Sequence, residues 1–247
     1  KHFVGKQVLV LDHHEPDMEH VNGNVIHVNP HVFGIDGGKE ISGAGVVYHF
    51  VKSLHPSVED LAPIALVGAI GDIQEDGNGF LTLNNDILKI AQKKGLIKVI
   101  RGLRIFGAQT RPLHKVLEYC TDPFIPGVSG SESGAIQFLH EIGIKAKNGK
   151  EWRKIVHLDE EEIKKLVSGI ILRRLSEDRP EDVLGNVYIL TAEEKESPFR
   201  DAKEFSTLLN ACGRLDKASL GIGACLGDVK TKERAMKGLT SYKRMII

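Results

Sequence analysis

The hydrophobic pattern changes period several times along the chain. Gln7–Leu11 (QVLVL) is a short, continuous apolar run rich in β-branched residues, which predicts a buried strand of the parallel type. It stops at Asp12-His13-His14-Glu15-Pro16-Asp17, where Pro16 prevents simple continuation. Asn24–Val28 predicts a second strand ending at Asn29-Pro30, followed by the glycine-rich turn Gly34–Gly38. Ser42 is placed to cap a helix over Gly43–Leu54, and Ser57 to cap the next, running to about Ile70. Apolar residues fill most of the circumference of that second helix, which predicts burial. Further helices are expected over Asn84–Gly95, Leu113–Cys120 and Ser131–Ile142, and a strand over Leu96–Ile100.

Ala146–Arg153 reads as a polar linker or surface loop. Asp159–Ser176 has acids in its first turn and arginines in its last, matching the helix dipole, and Asp159 with Glu162 fits a capping box. A charged stretch with Pro180 follows, where a boundary is expected. Beyond it, strands are expected at Asn186–Thr191 and Leu220–Leu226, and helices at Asp201–Ala211 and Lys232–Ile247. Alternating strands and helices predict an α/β architecture with parallel strands.

Composition narrows the class. The 247 residues are 41% hydrophobic and 27% charged, ordinary for a globular chain. Lys+Arg and Asp+Glu both number 33, so net charge neither favours nor excludes a nucleic-acid partner. Cys120, Cys212 and Cys225 are widely spaced, which argues against a disulfide framework or a zinc knuckle and for reduced thiols in a cytoplasmic protein. No apolar run reaches the ~18 residues a membrane span needs. The chain opens on Lys1 and runs at once into a strand, so it is expected to begin inside a fold.

The chemistry concentrates at a few positions. Asp12, His13 and His14 stand at the carboxyl end of a buried strand, where ligands bind in open α/β sheets. Imidazole and carboxylate together suit Mn, Fe, Zn or Mg, and a neighbouring carboxylate also orients an imidazole. The alternative is a solvated loop. Asp72 ends the apolar helix in GAIGD, either as a site carboxylate or as an ordinary helix-end residue; Glu75 and Asp76 read as solvated. The small-residue helix starts at Ser42-Gly43 and Ser129–Gly134 present backbone N–H groups that suit a phosphate, or simply capping. Arg101, Arg104, Arg111, His114 and Lys115 form a basic cluster suited to a phosphodiester backbone or to plain solvation. The dinucleotide fingerprint, the Walker A pattern and HExxH are absent.

The ordered set of DHH after QVLVL, then Asn29-Pro30, SGAG and GAIGD resembles the DHH phosphoesterase superfamily. Longer stretches are similar to archaeal RecJ-like proteins: GIDGGKEISGAGVVYHF (34–50), TRPLHKVLEYCTDPFIPGVSGSESGAIQFL (110–139) and LLNACGRL (208–215). The resemblance implies a parallel-sheet DHH domain, incomplete here over 1–145, a linker and connecting helix over 146–178, and a smaller α/β DHHA1-like domain over 179–247. It implies that His13 and Asp72 bind metal, that His14 contacts the scissile phosphate or completes the metal environment, and that Asp12 orients. Asn210, Gly213 and Arg214 fall where the family grips substrate, with Arg214 at a position often histidine; Ser42 and Gly43 are the further substrate-binding candidates.

Two divalent ions, Mn²⁺ or Mg²⁺, are implied, and so is a single-strand DNA or RNA exonuclease of replication or repair. Two aspartate motifs of the family are expected before Lys1, so this stretch alone is expected to be inactive. Other family roles are a non-catalytic scaffold that binds the GINS complex and a small-molecule or nanoRNA phosphodiesterase.

Overall fold

The structure, a computed structural model, describes residues 5–17, 23–75 and 79–246, with side chains up to residue 238. In chain order the described elements are β1 (Val8–Leu11), β2 (Val25–Val28), α1 (Gly43–Leu54), α2 (Ala62–Gly71), α3 (Thr82–Lys93), β3 (Ile97–Leu103), α4 (Leu113–Glu118), α5 (Glu132–Glu141), β4 (Lys147–Asn148), β5 (Glu151–Trp152), α6 (Glu160–Arg173), β6 (Leu184–Leu190), α7 (Ala202–Arg214), α8 (Ala218–Cys225) and α9 (Val229–Ile246). The protein is therefore mixed α/β with small sheets. Its backbone divides into two compact units, one of residues 1–98 with 206–247 and one of residues 99–205.

In the first unit, β1 and β2 pair in parallel, with Val8 opposite Val25 and Leu11 opposite Val28. The Ser42 hydroxyl accepts from Gly45 N at 3.2 Å and starts α1 at the expected residue. The expected cap at Ser57 does not form. Pro56–Leu61 is instead a 3₁₀ turn, and α2 starts only at Ala62. The reason is Pro63. Inside a helix begun at Ser57 it would leave the Glu59 carbonyl without a donor and clash with it; near the start of a helix it is tolerated.

Gly68 lets α2 lie against α1, since a Cβ there would collide with the Ala44 side chain. α2 buries Ala62, Ala65, Leu66, Val67 and Ala69, as its all-round apolar pattern requires. The expected strand at Leu220–Leu226 is the helix α8. A short apolar run fits either element, and its small residues decide the packing: a Cβ at Gly221 would already touch Leu209 and Cys212. Of the stretch 179–247 expected as a smaller α/β domain, Leu184–Leu190 is the strand β6 and the later elements are the helices α7, α8 and α9, so the second expected strand is missing from it.

The second unit packs α4, α5 and α6 around Leu113, Leu117, Ile125, Phe138, Leu139, Leu166 and Ile170, all essentially inaccessible. Its strand β6 lies beside β3. Asp159 and Glu162 make the expected capping box at the start of α6. This helix, expected as a connector, supplies Leu166 and Ile170 to the core. The polar linker or surface loop expected at Ala146–Arg153 is an exposed antiparallel hairpin, β4 with β5. The two compact units change over at residues 98–99 and 205–206.

Candidate metal centre

The loop after β1 is held open by backbone contacts that local sequence does not announce. Asp12 N donates to Val28 O at the end of β2. His31 Nε2 lies 3.1 Å from the His13 carbonyl, which can only accept, so this nitrogen carries a proton. Asn29, wholly buried, donates from Nδ2 to His14 O at 2.9 Å and accepts from His31 N at 3.0 Å. Gly37 backs directly onto the same loop: a Cβ there would overlap the His13 carbonyl oxygen. Any other residue would push the loop away.

His13 is 8% exposed and its two ring nitrogens face different partners. Nδ1 lies 2.7 Å from the Gly37 carbonyl oxygen. Both partners accept only, and the Gly37 contact is the shorter, 2.7 Å against 3.3 Å, which assigns the proton of the neutral ring to Nδ1 and leaves a lone pair on Nε2. Nε2 in turn lies 3.3 Å from Asp72 Oδ2. In neutral His13 two acceptors then face one another, which is unfavourable unless a cation lies between them. A proton or a metal ion meets that requirement.

Asp72 reaches this position from the end of α2. The helix closes with Ile73 N donating to Ile70 O and Gln74 N to Ala69 O, a Schellman arrangement. Its left-handed residue is Ile73, at φ 57°, where glycine is usual. For a β-branched residue this costs about 1 kcal/mol or more. The turn directs the Gln74 side chain inward, where Nε2 donates to Asp72 Oδ2 at 3.0 Å.

Asp12 and His14 stand differently. Asp12, His13 and His14 place ligand-type atoms within 4.8 Å of one another. Yet Asp12 Oδ1 already accepts from His13 N at 2.8 Å, from His14 N at 3.4 Å and from the His14 ring at 2.8 Å. Burial acts to raise the Asp12 carboxyl, but those donors outweigh it and hold it below the ordinary aspartate value. The hydrogen bond to Asp12 raises the pKa of the exposed His14 ring. The pairing that carries an open ligand position is therefore His13 with Asp72, and Asp12 has the geometry of an orienting group.

His13 and Asp72 open on a cavity of about 300 Å³, also lined by Ser42, Gly43, Gly68, Gly71, Ser206 and Asn210. The amino end of α1 and one face of α7 thus share the hollow with His13 and Asp72. Of the other sequence candidates, Gly213 and Arg214 do not line it. They sit on the last turn of α7, not in a glycine-rich loop. The basic cluster is largely committed elsewhere: the Arg111 guanidinium stacks over Phe106 and Tyr119, Lys115 pairs with Glu118 and Glu132, and buried His114 stacks on Trp152. Asp76 lies outside the described residues. Gln74, His31 and Ser206 carried no sequence signal, because each acts through a contact far along the chain.

Residues 105–187 match the family model of the DHH-CID domain. That match supports membership of the DHH superfamily. The chain is also 35% identical over 241 residues to "Uncharacterized protein MJ0831" of Methanocaldococcus jannaschii, covering 97% of this chain and 51% of that protein. The chain thus spans about half the length of the curated relative it matches.

Proposed function

We propose that His13 and Asp72 belong to the divalent-metal centre of a phosphodiesterase that degrades single-stranded DNA or RNA from an end. The observation that carries this reading is the His13 lone pair on Nε2 facing an Asp72 oxygen at 3.3 Å. The donor set of one imidazole and one carboxylate suits a divalent cation such as Mn²⁺, Fe²⁺ or Zn²⁺, and the match to a domain of a superfamily of metal-dependent phosphoesterases agrees with a metal site. When bound, a divalent cation supplies Lewis acidity toward a phosphoryl oxygen.

The chain's own residues do the rest. Gly37 O holds the His13 proton on Nδ1 and keeps Nε2 available. Asp12 orients the loop through the His13 and His14 N–H groups. The free N–H groups at the start of α1, next to Ser42 and Gly43, favour a phosphate in the same cavity. Asn210 offers a neutral polar contact from α7. Action in replication or repair and a cytoplasmic location belong to the same proposal; association with the GINS complex belongs to the alternative, a non-catalytic scaffold. Among the described residues no helix is long and apolar enough to cross a membrane.

The test is an end-labelled oligonucleotide assay of the full-length protein with Mn²⁺. Stepwise shortening of single strands, abolished in His13→Ala, is the expected result. Cleavage undiminished in His13→Ala would sink the assignment. Binding of the GINS complex without any hydrolysis would favour a scaffold, and a rate confined to very short substrates would favour a small-molecule phosphodiesterase.

A further inference from the structure

The loop after α2 carries a second side chain that faces inward, and its contacts are unusual. Gln74 is 6% exposed. Its Nε2 lies 3.0 Å from Asp72 Oδ2, 2.8 Å from Gly37 O and 3.2 Å from Ile41 O. All three are acceptors, so the amide nitrogen is correctly placed facing them. On the other side, Oε1 accepts from Asn84 Nδ2 at 2.7 Å, and Asn84 is wholly buried. The orientation of the amide is thus set from both ends.

Two of the three acceptors belong to the His13–Asp72 pair. Gly37 O is the carbonyl that holds the proton on His13 Nδ1, and Asp72 Oδ2 is the oxygen that faces His13 Nε2. One amide therefore touches both determinants of the pair's geometry. The strained turn at Ile73 is what brings it there, since a helix continued through residue 73 would carry Gln74 off in another direction.

We propose that Gln74 is the positioning residue of the centre: its amide locks the Asp72 carboxylate to the carbonyl that fixes the His13 tautomer. The proposal rests on the metal reading for its consequence, but its geometry stands without it. Groups that hold metal ligands in place typically change metal affinity by 10- to 100-fold when removed.

Two readouts on the full-length protein separate the outcomes. The first is a Mn²⁺ titration of wild type and Gln74→Met, which keeps side-chain length and removes the hydrogen bonds. A 10- to 100-fold weaker dissociation constant is expected, with a smaller loss in the same direction for Asn84→Leu. The second readout needs no metal. Nitrogen chemical shifts of ¹⁵N-labelled His13 at pH 8 report which ring nitrogen bears the proton. Wild type is expected to show the Nδ1–H form alone, and Gln74→Met a mixture of both forms.

A purely structural role lowers thermal stability but leaves both readouts at wild-type values, and that result would overturn the proposal. Should Gln74→Met fail to fold, Asn84→Leu carries the same two readouts and decides the same way. A wild type that binds no Mn²⁺ overturns the metal reading, while the histidine shifts still decide on Gln74.

Discussion

Asp72 and Glu204 are carboxylates of the two compact units, one open to solvent and one buried, and they solve opposite problems. Glu204 is 2% exposed and meets donors: Gln109 N–H at 2.8 Å and the Thr110 hydroxyl at 2.6 Å. Its neighbour Asp201 caps the start of α7, accepting from Lys203 N at 2.8 Å and Glu204 N at 3.2 Å. Asp72, 40% exposed at the side chain, meets one amide donor and one imidazole nitrogen that in the neutral ring has no proton to give. Burial alone therefore does not mark a candidate site carboxylate. The mark is a partner that is also an acceptor, because such a pair is complete only when something positive joins it.

The comparison sharpens under substitution. Glu204→Ala strands a buried backbone N–H and a hydroxyl, and should lower unfolding free energy by about 2–4 kcal/mol in urea titration while leaving Mn²⁺ affinity within twofold. An unchanged denaturation midpoint would show that Glu204 is dispensable. Asp201 tests the same interior through pH. Burial, and then the charge of Glu204, raise its carboxyl to about 6. The folded protein then holds a proton that the unfolded chain releases near pH 4, so this site's contribution is fullest below about pH 4 and falls as pH rises to about 6. The loss amounts to about 2–3 kcal/mol. Asp201→Asn keeps an acceptor for the cap and should flatten that decline in melts run at pH 4 and pH 7; an equal decline in the variant would refute the attribution.

At the candidate metal centre, substitution is expected to act on ion binding as well as on stability. Gly37→Ala should cost about 1–3 kcal/mol of stability and displace the His13 loop, with Mn²⁺ affinity falling at least tenfold; wild-type affinity would mean the loop tolerates the added methyl group. Asp72 Oδ2 faces both His13 Nε2 and Gln74 Nε2, so in Asp72→Asn an amide nitrogen there would donate to His13 but oppose Gln74. The variant should weaken Mn²⁺ binding at least tenfold while shifting the stability of the metal-free protein by less than about 1 kcal/mol. Wild-type Mn²⁺ affinity would contradict the account of a shared cation.

Much of this arrangement was legible from local patterns. The strand β1 (though not its expected burial, since none of its four residues is buried), the Ser42 cap, the Asp159–Glu162 capping box and the clustering of Asp12, His13 and His14 each lie within a few residues, so spacing and chemistry sufficed. Asp72 was visible as a carboxylate after an apolar helix, though nothing in its neighbourhood chose between site and surface. What stayed hidden depends on distance along the chain. Gln74 reaches Gly37 and Asn84, His31 reaches the His13 carbonyl, and residues 206–247 join residues 1–98 in one unit. The apolar run at Leu220–Leu226 was ambiguous for a different reason: six or seven such residues suit a strand or a buried helix equally well, and only packing of α8 against α7 decides.

The central claim is that His13 and Asp72 share one divalent cation. Electron paramagnetic resonance of free Mn²⁺, titrated into the full-length wild type, His13→Ala and Asp72→Asn, tests it most directly. The account predicts a saturable site in wild type that is weakened at least tenfold in both variants. Equal binding by all three proteins would contradict it.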